Sequence, residues 1–194
     1  RDRLRSRGLG DVYKRQGCCG AVLLGRLSDI VDYLLYVDKK TGLPNREKLN
    51  IYIGEMAGKV LPEAFTCFTL NLDNLSELTK RFGYTVGDGV LKDFAGLVQL
   101  MGDTEGMRGY NGIGRFVVFF EECSSKKAAA MIRILDNQVE EYNSLNPEYP
   151  IRYTAAWATT EETDTYEIRE LLRLSQKKWK QMEKEKKDKT EEET

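Results

Sequence analysis

The chain reads as an α/β (α+β) fold, a mixed central sheet flanked by helices and entered by an N-terminal linker helix. Three observations predict it. The hydrophobic patterns run in the order helix, strand, helix, helix, hairpin, helix, strand, helix, which suits a sheet covered by helices. Phe116-Val-Val-Phe-Phe120 is an unbroken β-branched and aromatic run of the kind found in a strand buried on both faces. With 194 residues, 41% hydrophobic and 31% charged, the chain has room for one domain with a real core.

Leu24, Leu27, Val31 and Leu34 step by three and four, so residues 22–37 are expected to form a helix with a short a/d seam. That seam suits either parallel dimerisation or packing on its own domain. Thr41-Gly-Leu-Pro-Asn-Arg46 supplies turn residues, and Asn45 is placed to cap a helix over roughly 45–58. Residues 64–73 alternate as a strand. A short helix follows over 75–82, with Gly83 placed to end it. Val90, Leu91, Phe94, Leu97 and Val98 share one face of a helix over 86–101. Gly109-Tyr-Asn-Gly-Ile-Gly114 reads as a hairpin turning at Asn111-Gly112, a dipeptide that tolerates positive φ. A helix near 125–142, a strand near 150–158 and a long helix from about 165 complete the order. Residues 188–194 are expected to be a charged tail.

Composition excludes several chemistries. Histidine is absent, which removes imidazole acid–base catalysis and imidazole metal ligands. The cysteines at 18, 19, 67 and 123 have no C-x-x-C spacing and read as free thiols of a cytoplasmic protein. The net charge of −1 offers no global basic field for nucleic acid. The apolar run Ala21-Val-Leu-Leu24 is too short to span a membrane. Residues 1–16 hold six basic and two acidic residues, fit no amphipathic pattern, and are expected to be non-native or disordered. The domain plan is therefore 1–16, a linker helix at 17–37, a main domain at 38–187 and the tail.

Four landmarks fall in one order: Asp38-Lys-Lys-Thr-Gly-Leu-Pro-Asn-Arg46, the strand end Leu70-Asn-Leu-Asp-Asn74, Phe82-Gly-Tyr-Thr-Val-Gly-Asp88, and the hairpin at 109–116. Together they resemble the GGDEF domain of diguanylate cyclases. That resemblance implies a mixed sheet of about five strands, similar to nucleotidyl cyclases. It also implies joining of two GTP molecules into cyclic di-GMP across two facing domains, with Mg²⁺ held by carboxylates and phosphate oxygens.

Aligned on the hairpin, the family's named motif falls on Gly112, Ile113, Gly114, Arg115 and Phe116. The resemblance places its two metal carboxylates at Asn71 and Gly114. Its next acid falls on Arg115, a cation that cannot ligate Mg²⁺. The family's Phe-Lys is Leu75-Ser76, its guanine-facing Asn is Thr79, and its Gly-His is Gly83-Tyr84. The basic phosphate contact of the last helix falls near Glu183, with Lys184 beside it. No product-inhibition R-x-x-D precedes the hairpin. The nucleotide-contact candidates that remain are Asp88, Leu72, Gly112 and Gly114, the two glycines offering open N–H groups as a phosphate nest. Asp88 has a second reading as an acid at a helix N-terminus, and Asp73 as a polar strand end.

The expectation is a catalytically inactive GGDEF domain serving as a signalling or interaction module in bacterial cyclic-di-GMP signalling. It would need no cofactor. Its partners would be an upstream sensor domain, another signalling protein, or a second copy through the helix at 22–37. One alternative is a non-catalytic guanine-nucleotide sensor. Another is an active cyclase using displaced acids such as Asp73, Glu121 or Glu122. Mg²⁺ and GTP enter only with those alternatives. A last reading is a structural fragment of a larger, membrane-anchored sensor.

Overall fold

The computed structural model of the chain describes residues 27, 29–102 and 106–192. Two compact units divide between Val37 and Asp38. In the first, residues 29–36 form helix α1. Its Ile30, Val31, Leu34 and Leu35 are all more than half exposed or close to it, at 50–57%. The predicted start of this helix at 22, with Leu24, lies outside the described residues, as do residues 1–16.

The second unit runs α2 (Arg46–Met56), β1 (Thr66–Leu72), α3 (Leu75–Phe82), α4 (Tyr84–Gln99), β2 (Gly106–Gly112), β3 (Arg115–Phe120), α5 (Ser125–Leu145), β4 (Tyr153–Thr159), α6 (Thr160–Thr163) and α7 (Ile168–Glu192). The sheet order is β2-β3-β1-β4. Every pairing is antiparallel. The mixed sheet of about five strands is thus corrected to four antiparallel strands among the described residues. After β4 the chain is rich in Lys, Glu and Gln. These are good helix formers with no period-two apolar pattern, so α7 continues instead of a further strand.

The two central strands send alternate residues to opposite faces. Phe68, Leu70, Phe116, Val118 and Phe120 pack under α4 and α5 with Phe94, Val98 and Leu135. Cys67, Val117 and Phe119 pack on the other face with Leu49 of α2 and Ile168 and Leu171 of α7. Phe94 meets Phe116 edge to face at 5.3 Å, and Phe68 meets Phe120 likewise at 6.0 Å. Each such side chain contributes on the order of 1.5–3 kcal/mol by leaving water. No helix among the described residues is long and apolar enough to cross a membrane.

The loop that precedes α2 is a brace. Asp38 Oδ1 accepts from the Lys40 N–H, the Thr41 N–H and the Thr41 hydroxyl. Leu43 is buried, and the Pro44 carbonyl accepts the Tyr110 N–H at 2.8 Å, which ties the loop to the edge strand β2. Asn45 caps α2 by accepting from the Lys48 N–H.

Candidate functional site

The hairpin end of the sheet holds the residues that the sequence singles out. Asn71 lies in register with Arg115 on one side and Thr154 on the other. Its amide Nδ2 donates to Asp73 Oδ1 at 2.8 Å. Asp73 Oδ2 accepts from the Thr154 hydroxyl at 2.6 Å. Lys186 of α7 reaches over the same corner. Its ammonium is 3.6 Å from Asp73 Oδ2 and donates to the Thr154 hydroxyl at 2.7 Å and the Tyr153 carbonyl at 2.9 Å.

The turn lies further along than the sequence suggests. β2 extends through Gly112, Asn111 is bulged out of register, and Ile113-Gly114 make the reversal. Gly112, Ile113 and Gly114 all have positive φ, at 85°, 53° and 74°. The bulge absorbs the residue that would otherwise have put Asn111-Gly112 at the tip. Gly114 is buried, and its carbonyl accepts the Leu72 N–H at 2.8 Å. A Cβ added there would lie 3.1 Å from the Leu72 carbonyl oxygen. The Gly114 N–H points at the Tyr110 hydroxyl, 3.2 Å away. The expected pair of open glycine N–H groups is therefore not present, because a neighbouring side chain takes one of them.

Gly83 at φ 89° separates α3 from α4. One turn on, a Cβ at Gly87 would collide with the Thr79 side chain, so glycine lets these helices touch. α4 begins at Tyr84, which places Asp88 in its second turn and not at its N-terminus. Asp88 instead pairs with Lys40 at 2.8 Å, and that bond raises the Lys40 pKa.

A cleft of about 430 Å³ opens between β1, α3, the hairpin and α7. Asn71, Leu72, Asp73, Ile113 and Arg115 line it, and so do Leu75, Ser76, Thr79, Lys80 and Tyr84. α7 adds Trp179 and Glu183. The volume falls within the range of pockets that enclose small-molecule ligands, roughly 300–1,000 Å³. Its charges are mixed, with Asp73 and Glu183 against Lys80 and Arg115. Tyr84 and Ile113 are largely exposed at its mouth, at 78% and 87%. Asp88, Gly112 and Gly114 are not among its lining residues, and Phe116 is wholly buried in the core beneath. Glu121 and Glu122 follow β3 at the end of the strand away from the turn.

Trp179 and Lys186 were not among the residues singled out in the sequence. The signal was there: Ile168, Leu171, Ser175, Trp179, Met182 and Lys186 recur at helical spacing along one face of α7. The charge-rich composition around them hides the stripe. Arg115 stacks its guanidinium over the Trp179 ring, 5.1 Å from the centroid.

A four-stranded antiparallel sheet between helix layers, with a hairpin walling a cleft at one end, makes this an α/β domain with a site at the hairpin end of its sheet. Residues 35–189 match the family described as diguanylate cyclase, GGDEF domain, and the chain belongs to that family. Solved structures agree on the fold. A diguanylate cyclase/phosphodiesterase from Caldicellulosiruptor saccharolyticus is 18% identical with a TM-score of 0.60, the match covering 78% of this chain and 91% of that one. The coiled coil and GGDEF domain of DgcB from Caulobacter crescentus, in complex with c-di-GMP, is 15% identical with a TM-score of 0.61, covering 76% and 81%. The S helix-GGDEF-EAL portion of Vibrio cholerae LapD, bound to c-di-GMP, is 13% identical with a TM-score of 0.58, covering 71% of this chain. This chain spans about a third of that LapD chain, 32%. Comparison with the curated proteins found no match.

Proposed function

We propose that this GGDEF domain does not condense GTP and acts as a signalling and interaction module in a cyclic-di-GMP system. The observation that carries this reading is the donor set at the hairpin end. Mg²⁺ takes an octahedron of oxygens and is ordinarily held by one or two carboxylates plus phosphate oxygens. Here the two positions that the motif resemblance assigns to carboxylates are Asn71, whose amide is turned to Asp73, and Gly114, which has no side chain. The carboxylate beside them, Asp73, already receives Asn71, Thr154 and the Lys186 ammonium. Arg115 adds a cation where a metal would need negative charge. These residues do not fit Mg²⁺, so no catalytic step is assigned through it.

The test is incubation of the purified chain with GTP and Mg²⁺, followed by mass spectrometry for cyclic di-GMP. The expected result is no product above a blank lacking protein. Product that disappears in Asp73→Asn would overturn the proposal.

A second reading rests on the 430 Å³ cleft, which has the size of a nucleoside site and displays hydroxyl, amide and cationic groups. On it, the chain is a guanine-nucleotide sensor that works without metal. Calorimetric titration with GTP separates the two. Binding that is indifferent to Mg²⁺ supports the sensor, and absence of binding supports the interaction module alone.

A further inference from the structure

We propose that the small cleft between the hairpin and α7 is an anion site that takes a phosphate group directly, without a metal. The cleft has a volume of about 110 Å³ and is walled by Asn111, Arg115, Gln176, Trp179 and Lys180, among others. That is far below the roughly 300 Å³ of a pocket for a drug-sized ligand, and it leaves room for a tetrahedral oxyanion. Among the described residues no carboxylate lines it.

Both of its cations lack an anionic partner among the described residues. Ion pairs engage Lys40, Arg152, Arg173, Lys178 and Lys186, but neither Arg115 nor Lys180. The Arg115 guanidinium lies over the Trp179 ring and has no ion-pair partner among the described residues, so its forked N–H donors are available to an anion. Such a fork matches two oxygens of a phosphate at once, and Lys180 of α7 adds a second cation to the lining. Trp179 is buried, at 4% exposed, and its indole N–H has no acceptor among the described residues. A buried donor without an acceptor is uncommon, because it carries the full desolvation cost. A small anion at this place relieves two cations of one lining, and it supplies acceptors that Asn111 and Gln176 can also use.

This site is separate from the nucleotide reading of the larger cleft, and stands if that reading fails. Arg115 and Trp179 nevertheless line both spaces. The phosphate could therefore be free, or belong to a nucleotide whose base lies next door.

The probe is inorganic phosphate, titrated calorimetrically into the unsubstituted chain, with chloride used to hold ionic strength constant. Saturable binding that persists in EDTA is expected. Arg115→Gln should weaken it about ten-fold or more, the usual range for hydrogen bonds to a charged group. Lys180→Gln should weaken it several-fold, while Lys92→Gln on the exposed side of α4 should leave it unchanged. The chain has two tryptophans. In a Trp157→Phe background, phosphate should therefore shift the emission of Trp179 over the same concentrations. Equal affinity for phosphate and GMP identifies the free anion as the ligand, and much tighter GMP binding shows that the two clefts act together. Heat that does not saturate, or saturation unaffected by Arg115→Gln, would overturn the proposal.

Discussion

Gly114 occupies a place where only glycine is at ease. Its φ of 74° is left-handed, and a Cβ there would press on the Leu72 carbonyl. Gly114→Glu is therefore not a simple restoration of an acid. It should lower stability by about 1–3 kcal/mol, the cost of a strained backbone with a crowded side chain. Denaturant unfolding reads this directly, and an unchanged midpoint would mean that the turn relaxes freely. Ile113 shows the opposite case, a β-branched residue at φ 53°. The left-handed conformation costs such a residue roughly 1–2 kcal/mol. Ile113→Gly removes that strain but adds freedom to the unfolded chain. Its net effect should be a gain of up to about 1 kcal/mol in the same assay. Cys67 makes a third residue-level claim. It is fully buried beside Ser175, and burial pushes its thiol up to about 12. Reactivity needs the thiolate. Peptide mapping after iodoacetamide treatment should show Cys67 unmodified in the folded protein near neutral pH and modified once urea unfolds it.

At the scale of elements, the helices were the most legible part. α3 begins and ends where its pattern and Gly83 place it, and Asn45 caps α2 as its chemistry requires. Asn45→Ala should cost about 1 kcal/mol, measurable as a lowered melting temperature. The hairpin was legible as an element but not in its register. Asn111-Gly112 is a strong turn signal taken alone, yet three consecutive positive φ values and a bulge move the reversal to Ile113-Gly114. Pairing of Tyr110 with Phe116, and packing of both rings, outweighs the local preference of the dipeptide. The strand number came from the family likeness and not from any period-two segment, and it was the part that needed correcting. The cleft was half legible. Asn71, Leu72, Ile113 and Arg115 are where the motif puts them, but the α7 wall was hidden in a charged stretch. Lys186 does its work through tertiary contacts with β4 that no local pattern encodes.

For the whole molecule, α1 carries an apolar face that is about half exposed. Val31 and Leu34 are about half or more exposed, at 50% and 57%. If that seam joins two copies, Leu34→Asp should weaken self-association at least ten-fold in sedimentation equilibrium, with the fold of the main domain unchanged by circular dichroism. A monomeric parent chain would instead assign the seam to another protein. The loop at Asp38–Asn45 gives the domain a further property. It is fastened at two points, through the Pro44 carbonyl to the hairpin strand and through Lys40 to Asp88 on α4. The hairpin that β2 belongs to gives Ile113 and Arg115 to the larger cleft, and α4 gives it Tyr84. A pull entering the domain at Asp38 therefore acts like a drawstring, with one cord to the hairpin and one to α4. Cutting the Lys40 cord would leave a motion that tugs the hairpin alone.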